Sequence, residues 1–151
     1  MPRPIRASAA IDWLANQNPL SVVEWADPVV EAAGHPVRSV YVETFWLPTL
    51  GPTAMWLLRR LSAWLEATPD GISVELPELA QELGLGANVG RSSPVIRTLA
   101  RLLRFQAAAP AGDVLAVRRF LAPLPYRLAA QLPPRLAAAH DLDQHRDRPA
   151  C

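Results

Sequence analysis

The segment at residues 94–105 constrains the fold of this chain more than any other, because its side chains divide between two faces. At about 100° per residue of an α-helix, Arg97, Arg101 and Arg104 lie close together, and no acidic residue interrupts them. Ser93 as N-cap, with a proline at the first helical position, marks where this helix starts. The opposite face is apolar and consists of Val95, Ile96, Leu99, Leu102 and Leu103.

Elements on either side of this helix follow from similar local signals. The stretch "GPTAMWLLRRLSAWLEATPDG" predicts a long helix with Pro52 in its first turn and residues 69–71 as its stop. "ISVEL" predicts a short strand, and residues 77–85 a second helix. After the amphipathic helix, "FQAAA" and "VLAVRRFL" predict a two-stranded ribbon with residues 110–113 at its tip.

The ends of the chain give weaker signals. Residues 1–36, interrupted by five prolines, predict an irregular arm docked on the domain or on a partner. Residues 37–47, "VRSVYVETFWL", are β-branched and aromatic and predict a strand. Residues 122–151 predict a C-terminal extension of short helices with a frayed polar end. We therefore expect a domain at residues 37–121, mostly α with a small β component.

The charge of the chain is unevenly distributed. The net charge is +1, and all fifteen basic residues are arginine, which suits bidentate phosphate contacts but also follows from a GC-rich genome. Residues 91–119 carry six arginines and one acid, a net +5, whereas residues 72–90 carry three acids and no base. A nearly neutral chain can therefore present a local basic surface.

Several classes of protein and site are not expected. No apolar run of membrane-spanning length occurs, and the N-terminus predicts no signal peptide. The single cysteine, Cys151, makes a cytoplasmic location the default. "GLGANVG" follows a helix rather than a strand, which does not fit a dinucleotide site. His140, His145 and Cys151 have loose metal-like spacing that we interpret as incidental, so neither a metal, a cofactor nor an enzyme activity is predicted.

The order helix, strand, helix, turn, helix, ribbon resembles the winged-helix branch of the helix-turn-helix superfamily. The resemblance covers residues 52–121, and "LPELAQELGLG" followed by "SSPVIRTLARLLRFQAA" carries it. It implies a three-helix core with a two- or three-stranded wing, and a recognition helix at residues 94–105 that docks on double-stranded DNA. The DNA-binding residues that it implies, together with the nearby arginines, are Arg91, Ser92, Ser93, Arg97, Arg101, Arg104, Arg118 and Arg119.

Two functions therefore remain open. The first is a small DNA-binding protein, a transcriptional regulator or a chromosome-associated factor located at the nucleoid. The second is a winged-helix module that binds a protein partner or forms a homodimer, because the acidic flank of residues 75–82 and a ribbon tip without a basic residue disfavour DNA. Trp56 falls about 100° off the apolar arc of its helix and is the candidate anchor for such a partner.

Overall fold

Within residues 6–146, which a computed structural model of the chain describes, eight α-helices surround two small sheets. Helices predominate over strands, as the sequence predicts. The helices are α1 (Ala7–Ala15), α2 (Pro28–Ala33), α3 (Leu47–Leu50), α4 (Pro52–Ala67), α5 (Leu76–Glu82), α6 (Pro94–Arg104), α7 (Tyr126–Ala129) and α8 (Pro134–Arg146). The strands are β1 (Leu20–Glu24), β2 (His35–Pro36), β3 (Ile72–Val74), β4 (Ala108–Ala111), β5 (Val114–Val117) and β6 (Phe120–Leu121).

The central elements occur where the sequence predicts them. Prolines occupy the first turns of α4, α5 and α6, where the missing N–H costs no hydrogen bond. All five apolar residues predicted for the inner face of α6 are buried, and Arg97, Arg101 and Arg104 are exposed. The ribbon forms as β4 and β5, which pair antiparallel with a turn at Gly112 and Asp113. Gly112 has φ of 65°, a left-handed conformation that glycine adopts without a Cβ clash.

The N-terminal segment is part of the sheet, so the predicted irregular arm at residues 1–36 is wrong for its described residues. The four-stranded sheet has the order β3-β1-β5-β4, with β1 antiparallel to β3 and parallel to β5. Val22 lies opposite Ile72 on one side and Leu115 on the other, and it is fully buried. Since β1 alone joins β3 to the ribbon, the sheet is larger than the predicted two- or three-stranded wing.

Helix α1 packs the N-terminal segment against α6. Ala10 and Leu14 are buried in the same apolar core as the inner face of α6, and α1 packs directly against α6. The indole N–H of Trp13, near the end of α1, donates to the carbonyl of Gly112 in the turn between β4 and β5, at 3.3 Å. The first segment and the predicted domain at residues 37–121 therefore share one core.

The predicted strand at residues 37–47 is also wrong. Residues 42–46 form a π-helical turn that leads into α3. Tyr41, Val42, Phe45 and Trp46 are all buried, and their spacing of one and four residues places them on one side of a helix rather than on alternate sides of a strand. The aromatic and β-branched composition reflects burial in the core, which outweighs β propensity here.

The C-terminal extension at residues 122–151 docks through a buried polar contact. The Tyr41 hydroxyl lies 2.8 Å from Nε2 of His140 and accepts the N–H of Leu124 at 2.9 Å. Burial raises the pKa of Tyr41 above its ordinary value. His140 is thus a core residue of α8, which continues to Arg146, whereas the predicted frayed end falls partly on residues 147–151, outside the described residues.

We predict that Val22→Ala lowers the free energy of unfolding by about 2 kcal/mol, since two methyl groups leave a fully buried site at roughly 1 kcal/mol each. Urea denaturation followed by circular dichroism measures this change. Val29→Ala is the matched control, because Val29 is largely exposed and its loss should change stability by less than about 0.5 kcal/mol. Equal effects of the two substitutions would contradict the structural role of β1.

Candidate nucleic-acid interface

Four exposed arginines line three adjoining cavities at the outer face of α6. A groove of about 660 Å³ between α1, α6 and the start of α4 contains Arg97, Arg101 and Arg104. A second cavity, of about 530 Å³, contains Arg101, Arg104 and Arg127, and a third, of about 350 Å³, contains Arg104, Arg127 and the buried Arg118. Among residues 6–146, no Asp or Glu lines any of the three cavities. We call Arg97, Arg101, Arg104 and Arg127 the basic surface.

Arg101 is held in place by neutral acceptors. Its Nε donates to the carbonyl of Leu50 at 2.6 Å, and its Nη2 donates to the carbonyl of Thr49 at 2.7 Å. These are carbonyls of the last turn of α3, which have no acceptor role within that short helix. Since a carbonyl carries no net charge, Arg101 is fixed in orientation yet keeps its positive charge for an anion outside.

Arg97 and Arg104 are the most available members of the basic surface on α6. Both are exposed, and neither has a carboxylate within ion-pair distance among the described residues. The Arg104 and Arg101 guanidinium groups lie 5.2 and 5.6 Å from the centre of the Phe105 ring. Such cation–π contacts restrict the guanidinium groups without neutralising them.

The start of α6 differs from its predicted role. Ser93 is only 1% exposed, and its hydroxyl donates to the carbonyl of Gly90 at 2.6 Å, so this hydroxyl contributes little to the DNA contact predicted for Ser92 and Ser93. Ser92 is exposed in the preceding turn. Arg91 forms an ion pair with Asp12 of α1, which neutralises it, although both groups remain solvated.

Arg118 is a structural residue, and its predicted contact with DNA is wrong. Its side chain is 10% exposed, its Nε donates to the carbonyl of Gln106 at 2.7 Å, and its Nη1 donates to Asp27 at 3.0 Å. The Trp25 ring lies 3.6 Å from the guanidinium carbon. This largely buried cluster joins the end of α6 to the start of α2, and only a small part of Arg118 reaches the third cavity.

Arg119 is likewise close to carboxylates of the same fold. Its guanidinium lies 3.6 Å from Glu24 and 3.9 Å from Glu66, and its side chain is 28% exposed. Asp113 at the ribbon turn adds no positive charge, and the turn itself is tied to Trp13. The basic surface therefore does not include the ribbon, although the sequence predicts a DNA contact for Arg119 just after it.

Arg127 is the functional candidate that the sequence does not indicate. It lies on the four-residue helix α7, 23 residues beyond Arg104, in a segment predicted only as an extension. Leu124 and Leu132, on either side of α7, are buried in the main core and dock this segment beside the end of α6. No local pattern signals that docking, because it depends on contacts between distant parts of the chain.

Trp56, the candidate partner anchor, is 65% exposed on α4. The Arg59 guanidinium lies 5.9 Å from its ring centre, on the same outer side of the helix. The other aromatic residues considered from the sequence, Tyr41, Phe45 and Trp46, are buried, and Trp64 is half-buried. Trp56 is thus a large apolar side chain that lies outside the core.

Neither a cluster of metal ligands nor a membrane-spanning helix is seen in the part of the chain that the structure describes. There, no three His, Cys, Asp or Glu side chains cluster as metal ligands, and Cys151 lies outside this part. Between residues 6 and 146, no helix is both long and apolar enough to cross a bilayer. No family model, curated protein or solved structure matches the chain. The basic surface is therefore the main structural indication of function.

The Arg118 cluster predicts a pH-dependent stability. The hydrogen bond from Arg118, and after it the N–H of Val30, hold the pKa of Asp27 below its ordinary value of 3.8. A lowered folded-state pKa stabilises the protein above the ordinary pKa, and this stabilisation is lost as the pH falls through the folded value. We predict that Asp27→Asn lowers the urea midpoint at pH 7 and that its difference from the wild type shrinks below pH 3.8.

Asp141→Asn is the matched control for this measurement. Asp141 is exposed on α8, and its carboxylate has no ion pair with any described residue, so the substitution should leave the urea midpoint nearly unchanged. A midpoint difference for Asp27→Asn that stays constant down to pH 3 would contradict the role given to the carboxylate.

Proposed function

We propose that this protein binds double-stranded DNA through the basic surface, with α6 facing the duplex. The observation that carries the proposal is that four exposed arginines line three adjoining cavities with no carboxylate among the described lining residues. Phosphate contacts supply most of the affinity of DNA-binding proteins, and arginine makes them bidentately. A surface of one sign, on a chain of nearly neutral net charge, favours an anionic partner.

The geometry of α6 suits a duplex. From Arg97 to Arg104 the helix advances about 10 Å, at 1.5 Å per residue. The diameter of an α-helix with its side chains, about 10–12 Å, matches the major-groove width of about 12 Å. Arg101 is held by backbone carbonyls, so less side-chain freedom is lost when it meets a phosphate. We assign phosphate contacts to all four members of the basic surface, Arg97, Arg101, Arg104 and Arg127.

The order of the elements agrees with a winged-helix interpretation, which remains part of the proposal. Helices α4, α5 and α6 with strands β3, β4 and β5 follow the winged-helix order, and α6 takes the place of the recognition helix. The departure is β1, which lies between β3 and β5. In this interpretation the protein is a DNA-binding regulator or chromosome-associated factor of the cytoplasm, located at the nucleoid, and it contacts DNA without its ribbon.

We predict that Arg97→Ala combined with Arg104→Ala weakens binding to all duplex sequences. The slope of log K against the logarithm of the salt concentration should fall in magnitude by about two, because binding releases about one counterion for each phosphate contact and two contacts are lost. Fluorescence anisotropy with a labelled 20-base-pair duplex at four salt concentrations measures both quantities. If the double variant and the wild type bind with the same affinity and slope, the basic surface is not the interface.

The matched control is Arg135→Ala combined with Arg146→Ala. Both arginines are exposed on α8 and line none of the three cavities, so this variant loses the same charge from a different face. It should keep the wild-type salt slope. An equal loss in both double variants would indicate an effect of net charge alone and would count against a defined surface.

A second candidate function is binding of a protein partner or of a second copy through Trp56. Its supporting observation is the 65% exposure of this tryptophan, a residue type enriched at binding hot spots. Under this candidate, sedimentation gives a mass above that of one chain, and Trp56→Ala restores the monomer mass. Tyr126→Ala, which alters a nearly fully exposed ring on α7, should not change the mass. A monomeric wild type that captures no partner excludes this candidate.

A further inference from the structure

The groove between α1 and α6 has the size and lining of a small-molecule site. Its volume of about 660 Å³ falls within the roughly 300–1,000 Å³ typical of ligand pockets. The lining is mainly apolar and includes Ala10 and Ile11 from α1, Leu50 and Ala54 beside the Gly51 bend, and Leu103 from α6. Phosphate contacts need charged and polar groups only, so the proposed DNA binding does not account for this apolar lining.

Apart from the exposed Thr53, the polar side chains of the groove are cationic or already hydrogen-bonded. Thr98 donates its hydroxyl proton to the carbonyl of Pro94 at 2.7 Å, and Arg101 is held by the carbonyls of Thr49 and Leu50. Arg97 lines the same groove, is exposed, and has no carboxylate partner among residues 6–146. The groove thus combines an apolar body with guanidinium groups at its polar side.

We propose that this groove binds an amphipathic monocarboxylate, an aliphatic or aromatic acid with one anionic end. The carboxylate would pair with the Arg97 guanidinium, whose planar fork matches two carboxylate oxygens. The apolar body would lie between α1 and α6 and release water from the half-buried Ile11 and Ala100. Charge complementarity selects this class, because a cation meets three arginines and a polyphosphate would leave the apolar lining uncovered.

The probe that tests the site is sodium octanoate, titrated into the free full-length protein and followed by two-dimensional NMR. Saturable shifts are expected at Ile11, Ala54 and Arg97. The neutral 1-octanol should bind about tenfold more weakly, because it lacks the charge-assisted contact. Since no DNA is present, the result is independent of the proposed DNA binding.

Two variants locate the carboxylate and the apolar body. Arg97→Gln should weaken octanoate binding about tenfold, and Ala7→Phe should weaken it by filling the groove from its exposed rim. Arg127→Gln should leave it unchanged, because Arg127 lines only the other two cavities. The proposal is overturned if octanoate gives no saturable shifts in the groove, if octanol binds equally well, or if Arg127→Gln weakens octanoate as much as Arg97→Gln.

Discussion

The pairing of β1 with both β3 and β5 is the constraint on which the rest of the structure depends. It satisfies two strand edges at once, and it buries Val22 between Ile72 and Leu115. The chain that leads into β1 places α1 against α6 and creates one wall of the groove. The packing of α6 therefore depends in part on the N-terminal segment, because α1 packs against it together with α4, α5 and β4.

The arginines acquire different roles from the groups that the fold places beside them. Arg118 meets a carboxylate, a carbonyl and an indole ring and becomes part of the core. Arg101 meets only carbonyls, so it is fixed but not neutralised. Arg97 faces solvent and remains open to an anion. Identical side chains thus range from structural to available, and the difference lies in the charge and burial of their neighbours.

Both proposals place an anion on Arg97, so a bound carboxylate and a DNA phosphate would exclude each other at that residue. Thermodynamic reciprocity then requires each ligand to weaken the other by the same factor. The effect would be local, because Arg104 and Arg127 also line cavities that the carboxylate does not enter. A small acid could in this way regulate DNA binding without a change of fold.

The sequence by itself determined the elements whose signals are local. The spacing of Val95 to Leu103, the prolines at three helix starts and the glycine turn of the ribbon predict α4, α5, α6 and the β4–β5 hairpin, together with the exposed face of Arg97, Arg101 and Arg104. Only the tertiary structure decided that β1 joins the sheet, that residues 42–46 are helical, that Arg118 is buried and that Arg127 completes the basic surface. These features arise from contacts between residues far apart in the chain, and such contacts leave no periodic pattern at either partner.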